Sequence, residues 1–562
     1  MRFEQQAILG HSAFAETGQP SGIYWDRQAT RLAIASRFDA LHWHGRNQQT
    51  SQALMYRVTI YNAQTVQLLA TLDGLAYPVN DVAFHPHQSL LAVATGAYDG
   101  GHFYQGALLL WDLETGQALS LLDEDREVTQ CSFDEEGHML HVTLRPQDDM
   151  DESPGDLFLH ATLPMNVWHS APPGGVVVRH VPFTPSDPST PVGSRMQDER
   201  DIQATMNHVA RRAGAQYEAR WFARDVAWTA EGDVVAVRNN TALERWTLQG
   251  ERVLHVPDPW DGVQLLVGST GAAFINLSKL VYTNRWMPSA RTEQINMESG
   301  QRVHLSDISV PVLLSMASSG ALLSRDGDVE QSYTGTRRPG SMRQDRLLTP
   351  EPAPPWSVYT VIKDAGLIMS EPLDLGAYDA LNHYFRVDGA RHLYFVQGTP
   401  PTSRHSRWIC RIDPLSLRVE RLFPLIWDSA SEDDITASNA LHVSDELGTA
   451  LIVSYQSAHK RGQRAGAVAI VRRHLPEGSV QWATQCTASV TAIALIPERK
   501  VIVFALSDGH IGIVSAATGQ IQLLQPVQIN GARSIYLALA ARESRIAAGT
   551  IDGRIVVSKL IE

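Results

Sequence analysis

From Val79 to Leu119 the chain reads "VNDVAFHPHQSLLAVATGAYDGGHFYQGALLLWDLETGQAL". Short apolar runs, alternating or rich in β-formers, are broken by polar turns. The order is strand, Pro/Gln turn, strand, Asp-Gly turn, strand, Thr-Gly turn. Ser489 to Leu524 repeats it, with Asp508-Gly509 and Thr518-Gly519 in the corresponding turns, and Ser534 to Leu560 repeats it again with Asp552-Gly553 before the last strand. Glycine belongs in such turns because a tight hairpin needs a positive φ that glycine adopts without strain. A supersecondary unit repeated at about 40 residues predicts a radial or stacked architecture. Weaker copies include Gly22 to Arg37, Val128 to Leu144 and Ala223 to Val256. The total is roughly ten or eleven units, against the four to eight blades of one ring.

The sharpest units carry Val82-Ala83-Phe84 followed by Pro86, the Asp-Gly turns at Asp508 and Asp552, and Trp111-Asp112. In these features the chain resembles the WD-repeat family of β-propellers. The resemblance implies an all-β fold of four-stranded blades around a channel, and the excess of units implies two propellers in tandem with a short helical insertion. The expected division is 1–345 and 346–562, because Arg337 to Pro355 combines charge with proline as a linker does. The segment Gln5 to Leu9 is expected to complete the blade that ends at Ile561, removing an open sheet edge. Two departures stand out: Gly-His precedes a unit only at Gly10-His11, and most units lack tryptophan where Trp111 stands.

An insertion is expected at about 166–220. Its first part holds Pro172, Pro173, Pro182, Pro185, Pro188 and Pro191, too many for a central strand. Its second part places Ile202, Met206, Val209 and Ala213 at helical spacing, with acidic residues before them and Gly214 after. An apolar stripe on such a helix ordinarily packs on its own fold. The other reading makes these four residues a partner-binding face.

Composition narrows the function. The 562 residues carry a net charge of −13, which disfavours nucleic acid as a partner. The three cysteines are far apart and form no C-x-x-C pair, so neither a disulfide framework nor a thiolate zinc site is expected. The opening segment lacks the pattern of a secretory signal, and no apolar run reaches 18 residues, so a cytoplasmic location without membrane insertion is expected. Phosphate-loop, H-E-x-x-H and EF-hand patterns do not occur. The acidic run Gln147 to Ser153 reads as a solvated loop. His42-Trp43-His44 and His85-Pro86-His87 each supply two imidazoles but no third ligand. No catalytic residue, metal or cofactor is therefore assigned. The expected function is a non-enzymatic scaffold binding other proteins; the alternative is an enzyme or small-molecule propeller whose polar groups converge in the channel from several blades.

Overall fold

The computed structural model describes residues 1–44, 48–99, 101–122, 125–146, 158–165, 197–268, 271–279, 289–308, 313–325, 356–362, 366–370, 373, 385–397, 408–425, 434–458 and 468–562. The acidic run 147–153, most of the proline-rich stretch, the segment 337–355 and the side chains of His42 and His44 lie outside the described residues.

Among the described residues the chain is a β-propeller protein of ten antiparallel blades, with a two-stranded ribbon at 528–533 and one α-helix. In chain order the blades span 19–75, 79–120, 128–164, 223–257, 261–308, 313–369, 393–424, 434–485 and 490–526. Blade ten joins 536–561 to the N-terminal strand Arg2–Leu9, which pairs with the last strand from Leu9↔Ile555 to Arg2↔Ile561. No described helix is long and apolar enough to cross a membrane.

Why the opening pattern recurs is visible in its turns. Asp112 accepts hydrogen bonds from the backbone N–H of Glu114 (2.8 Å) and Thr115 (3.2 Å), and Gly116 follows with φ +73°. Asn62, Asn296 and Asp413 organise the corresponding turns of blades one, five and seven in the same way. The fifth position is left-handed each time, held by Val66, Gly300 and Leu417. A short polar acceptor at position one therefore matters more to this turn than glycine at position five.

The innermost strands share a second device. In nine blades the register slips near the start of this strand, as between Val79 and Asp81, Ala223 and Asp225, and Val490 and Ala492. The bulge turns a side chain toward the next blade. Asn80 reaches Val128 O at 3.0 Å, and Thr491 donates to Tyr536 O at 2.6 Å. Just past the bulge, Asp81 accepts from Cys131 N–H and Asp225 from Leu265 N–H. Backbone groups on the pore edge of a blade thus find partners on its neighbour.

Hydrophobic packing sorts the blades into two groups. Blades four to ten form a closed ring, with a separate apolar cluster at each of its seven interfaces. The closing cluster joins Ala223, Val226 and Ala236 of blade four to Ala538, Ala547 and Val557 of blade ten. Blades one to three form an arc with two interfaces. This arc with its helix occupies residues 10–222, between the N-terminal strand and blade four. Both ends of that stretch meet, since Ala13 N–H donates to Gln216 O and Gly10 lies so near Arg220 that a Cβ there would clash with its guanidinium. The division expected near residue 345 falls inside blade six, where Leu322 pairs with Tyr359 across it.

The helix Glu199–Arg212 begins at Asp198, whose carboxylate accepts from Arg200 N–H, and stops at Gly214 with φ +71°. Ile202, Met206 and Val209 are buried against Phe14, Ile23, Leu32, Ile34 and Tyr61 of the arc. Strand alternation explains the fit, because Leu32 and Ile34 face the helix while Ala33 and Ala35 face blade two. Gln197 then brackets Ile23, accepting from its N–H at 3.0 Å and donating to its C=O at 2.8 Å. The stripe read as a possible docking face is thus spent on blade one. Ala213 is the helix cap, half-buried beside it.

Candidate functional site

Three polar constellations and one groove stand out among the described residues. The first seals the arc to the ring. Arg554 is buried with Asp552 at 2.7 Å and Glu16 at 3.2 Å, while Tyr61 donates to Glu16 at 3.0 Å. Arg57 pairs with Asp73 and donates to the carbonyls of Glu16 and Arg533. Phe38 and Met55 of the arc meet Ile535 and Ile551 of the ring beside them. Burial raises the Asp552 carboxyl, but Arg554 outweighs this and holds it at about 2.

The second lies where the arc returns to blade four. Glu244 is fully buried, with Arg220 at 2.5 Å and Arg238 at 3.1 Å. Glu218 binds Arg238 and Arg252 at its edge. Arg220 also donates to Gly553 O at 2.9 Å, tying this cluster to the Asp-Gly turn of blade ten. Both constellations are internally paired and join parts of the fold.

The third spans the pore. Arg386, in the segment before blade seven, pairs with Asp225 of blade four, donates to Leu265 O of blade five at 3.0 Å, and meets Asp388 at 2.9 Å. Asp225 is already fixed by Val226 N–H and Leu265 N–H. Crowding by protein raises the Asp388 carboxyl, and Arg386 offsets this only in part. One cation between two carboxylates makes a brace across the ring. Replacing Arg386 with Met leaves those carboxylates facing each other without their cation. The variant is expected to melt below the parent, with a gap that narrows as pH falls and Asp388, whose carboxyl is already raised, takes up a proton. Thermal melts between pH 4 and 8 check this.

The groove lies between blades nine and ten. It is a cavity of about 230 Å³, walled by Phe3, Ile511, Val527 and Ile546 among others, with Gln5, Gln525, Gln528 and Ser558 at its polar positions. Among the described residues no carboxylate, ammonium or guanidinium lines it. The N-terminal strand supplies one wall, so the groove exists only because that strand completes blade ten. Exposed Ile521 and Leu524 lie on the outer strand of blade nine but on its other face, toward blade eight, where they pair with Val514 and Gly512.

The sequence marks Asp552 and Gly553 only as a turn and Gln5 only as part of a closing strand, and assigns none of these residues to a site. Asp81 and Asp225 had a signal, since "NDVAF" and "RDVAW" put Asp at the same place in two units. The groove's amides had none, because they come together only when the two chain ends meet. Of the histidines singled out, His85 is a turn organiser. It is buried, its Nδ1 accepts from His87 and Gln88 N–H, and its Nε2 bonds Gly137 O at 3.0 Å. Burial lowers its pKa, which keeps the ring neutral for this role.

No family model matches the chain. It is 31% identical over 88 residues to the spindle assembly checkpoint protein bub3 of Schizosaccharomyces pombe, a match covering 16% of this chain and 24% of that protein. Solved structures similar to it include virginiamycin B lyase from Staphylococcus aureus, with selenomethionine substitution (TM-score 0.37, 12% identity, 60% of this chain and 95% of that one). The catalytically inactive form of the same lyase with quinupristin gives a TM-score of 0.38 at 12% identity, over 60% of this chain and 96% of that one. The chain thus spans about a quarter of the curated relative it matches.

Proposed function

We propose that this protein is a WD-type interaction platform that holds other proteins on the faces and flanks of its blades. The observation that carries this reading is the way the polar groups are committed. The buried charges at both junctions and the charges across the pore bind one another, whereas an uncharged groove of mixed polar and apolar lining opens at the flank of the ring. Receptive surface of that composition suits polypeptide. The stretch similar to bub3, a spindle assembly checkpoint protein by name, supports a WD-type role. Affinity capture of the full chain from its native host at low salt, followed by mass spectrometry, tests it. A stoichiometric companion protein is expected; recovery of the chain alone would count against the platform.

The channel-ligand alternative has one observation in its favour, the convergence of Arg386, Asp225 and Asp388 at the pore. These groups already satisfy one another, so a ligand would have to displace a formed ion pair.

A further inference from the structure

We infer that the rim of blades two and three around Tyr98 is a docking surface for a basic polypeptide segment, which lays an arginine side chain on that ring. This rests on the platform reading and deepens it. Charge selects the occupant first. Residues 99–158 hold fifteen Asp and Glu against two Arg, so this stretch alone carries −13, as much as the whole chain, and the other residues balance. A field of that sign gathers cationic segments and turns away nucleic acid and acidic peptides. Of these carboxylates, Asp99 and Asp125 are exposed beside the hairpin that bears Tyr98. Asp99 accepts from the N–H groups of Gly101 (2.7 Å), His102 (3.0 Å) and Phe103 (3.0 Å), which hold its carboxyl below the ordinary value and keep it charged. Asp125 accepts from the Tyr77 hydroxyl at 3.3 Å.

The second argument is a row of rings that already takes a guanidinium. Arg145 lies over Tyr104, 5.2 Å from its centroid, and over Phe158, at 4.2 Å. Tyr98 continues the row 5.0 Å from Tyr104, and it is 44% exposed. Its hairpin is also stiff. Gly106 O accepts from Arg126 N–H at 3.0 Å and Tyr104 O from Glu127 N–H at 3.2 Å, lashing blade two to the start of blade three. Gly96 and Gly106 pair beneath that strap, where a Cβ on either would strike it. A partner thus meets a ring and carboxylates that are already ordered, which lowers the entropy lost on docking. Phe103, across the hairpin from Asp99, is 48% exposed. It offers apolar area that suits a polypeptide, with its mixed side chains, better than a small polyamine.

The probe is a fluorescein-labelled twelve-residue peptide alternating arginine with glycine and serine, titrated by polarisation against the full chain at about 50 mM and about 200 mM salt. Binding that weakens with salt is expected, with the lysine counterpart weaker, because an ammonium stacks less well than a guanidinium, and the glutamate counterpart silent. Affinity is expected to fall about threefold or more in Tyr98→Leu and to be kept in Tyr98→Phe, which retains the ring. Asp99→Asn with Asp125→Asn is expected to weaken binding about threefold or more and to flatten its salt dependence. Glu251→Gln with Glu298→Gln, which removes two exposed carboxylates from blades four and five, is expected to change nothing. Melting temperatures identify any variant that fails to fold, and the surface is altered in two independent ways for that reason.

No binding of the arginine peptide, equal binding by Tyr98→Leu, or an equal loss in the Glu251, Glu298 control would overturn the inference. Displacement of the peptide by spermine at the peptide's own concentration would do so too, since the surface would then take any polycation. If the chain with Tyr98→Leu, Asp99→Asn and Asp125→Asn still captures its companion from the native host, this surface falls and the platform stands. If the unaltered chain captures none, the platform reading itself falls.

Discussion

Replacing Glu244 with alanine is expected to cost about 3–5 kcal/mol, the scale for removing one partner from a buried ion cluster. The substitution leaves Arg220 and Arg238 buried, each within 3.1 Å of where the carboxylate stood, with Glu218 half-exposed at the rim and unable to serve both. The backbone pairing of Glu244 with Ala236 and His255 is untouched, so the loss reads the charge rather than the strand. Urea unfolding of the full chain measures it, and a change under about 1 kcal/mol would mean that water reaches the arginines.

The same cluster sets a pH dependence. Burial pushes the Glu244 carboxyl up, but Arg220 and Arg238 together hold it at about 2, below its ordinary 4.5. A carboxylate with a depressed folded pKa adds stability that is complete above its unfolded value and disappears as pH falls. Asp552, also held at about 2, acts in the same direction. The parent is therefore expected to lose stability from about pH 4.5 down toward 2, and Glu244→Ala to lose less over that interval.

Replacing both Ile202 and Met206 with aspartate is expected to cost on the order of 5 kcal/mol or more, because two carboxylates would enter an apolar contact with no cation beside them. Both side chains are at most 2% exposed and packed on Phe14, Leu32 and Ile34. Loss should begin in the arc, with blade one's face uncovered while the ring keeps its seven interfaces. Hydrogen exchange checks this by locating early protection loss in 19–75 and 197–217. An unchanged melting temperature would instead mean that the stripe is free to meet a partner.

How much of this was legible in the sequence depends on how local the cause is. The blades were readable, because strand alternation and turn chemistry are settled within a few residues: Asp112 makes its turn with Glu114 and Thr115, and Gly553 sits at the left-handed position of its hairpin with φ +81°. The helix too was readable from Ile202, Met206 and Val209, although spacing alone left open whether the stripe met the fold or a partner; Leu32 and Ile34 decide that from about 170 residues away. Grouping of the blades was not readable. Nothing near Ala223 announces that it packs on Ala547, and a proline-rich, charged stretch looks alike inside a blade and between domains. Arg386 and Gln528 likewise gain their meaning from partners brought by ring closure.

That closure, blade ten against blade four, is the central structural claim, since the seven-bladed ring depends on it. Trp228 Nε1–H donates to Ala540 O at 3.0 Å, and Arg542 donates to Ala230 O at 2.8 Å, across this interface. The most direct measurement is an electron paramagnetic resonance distance between nitroxide labels at the exposed positions Glu231 and Glu543, introduced as Glu231→Cys and Glu543→Cys in the full chain. A closed seven-bladed ring predicts one narrow distribution at the short end of the measurable range. A long or broad distribution would contradict it, placing the two blades in separate rings or leaving the ring open.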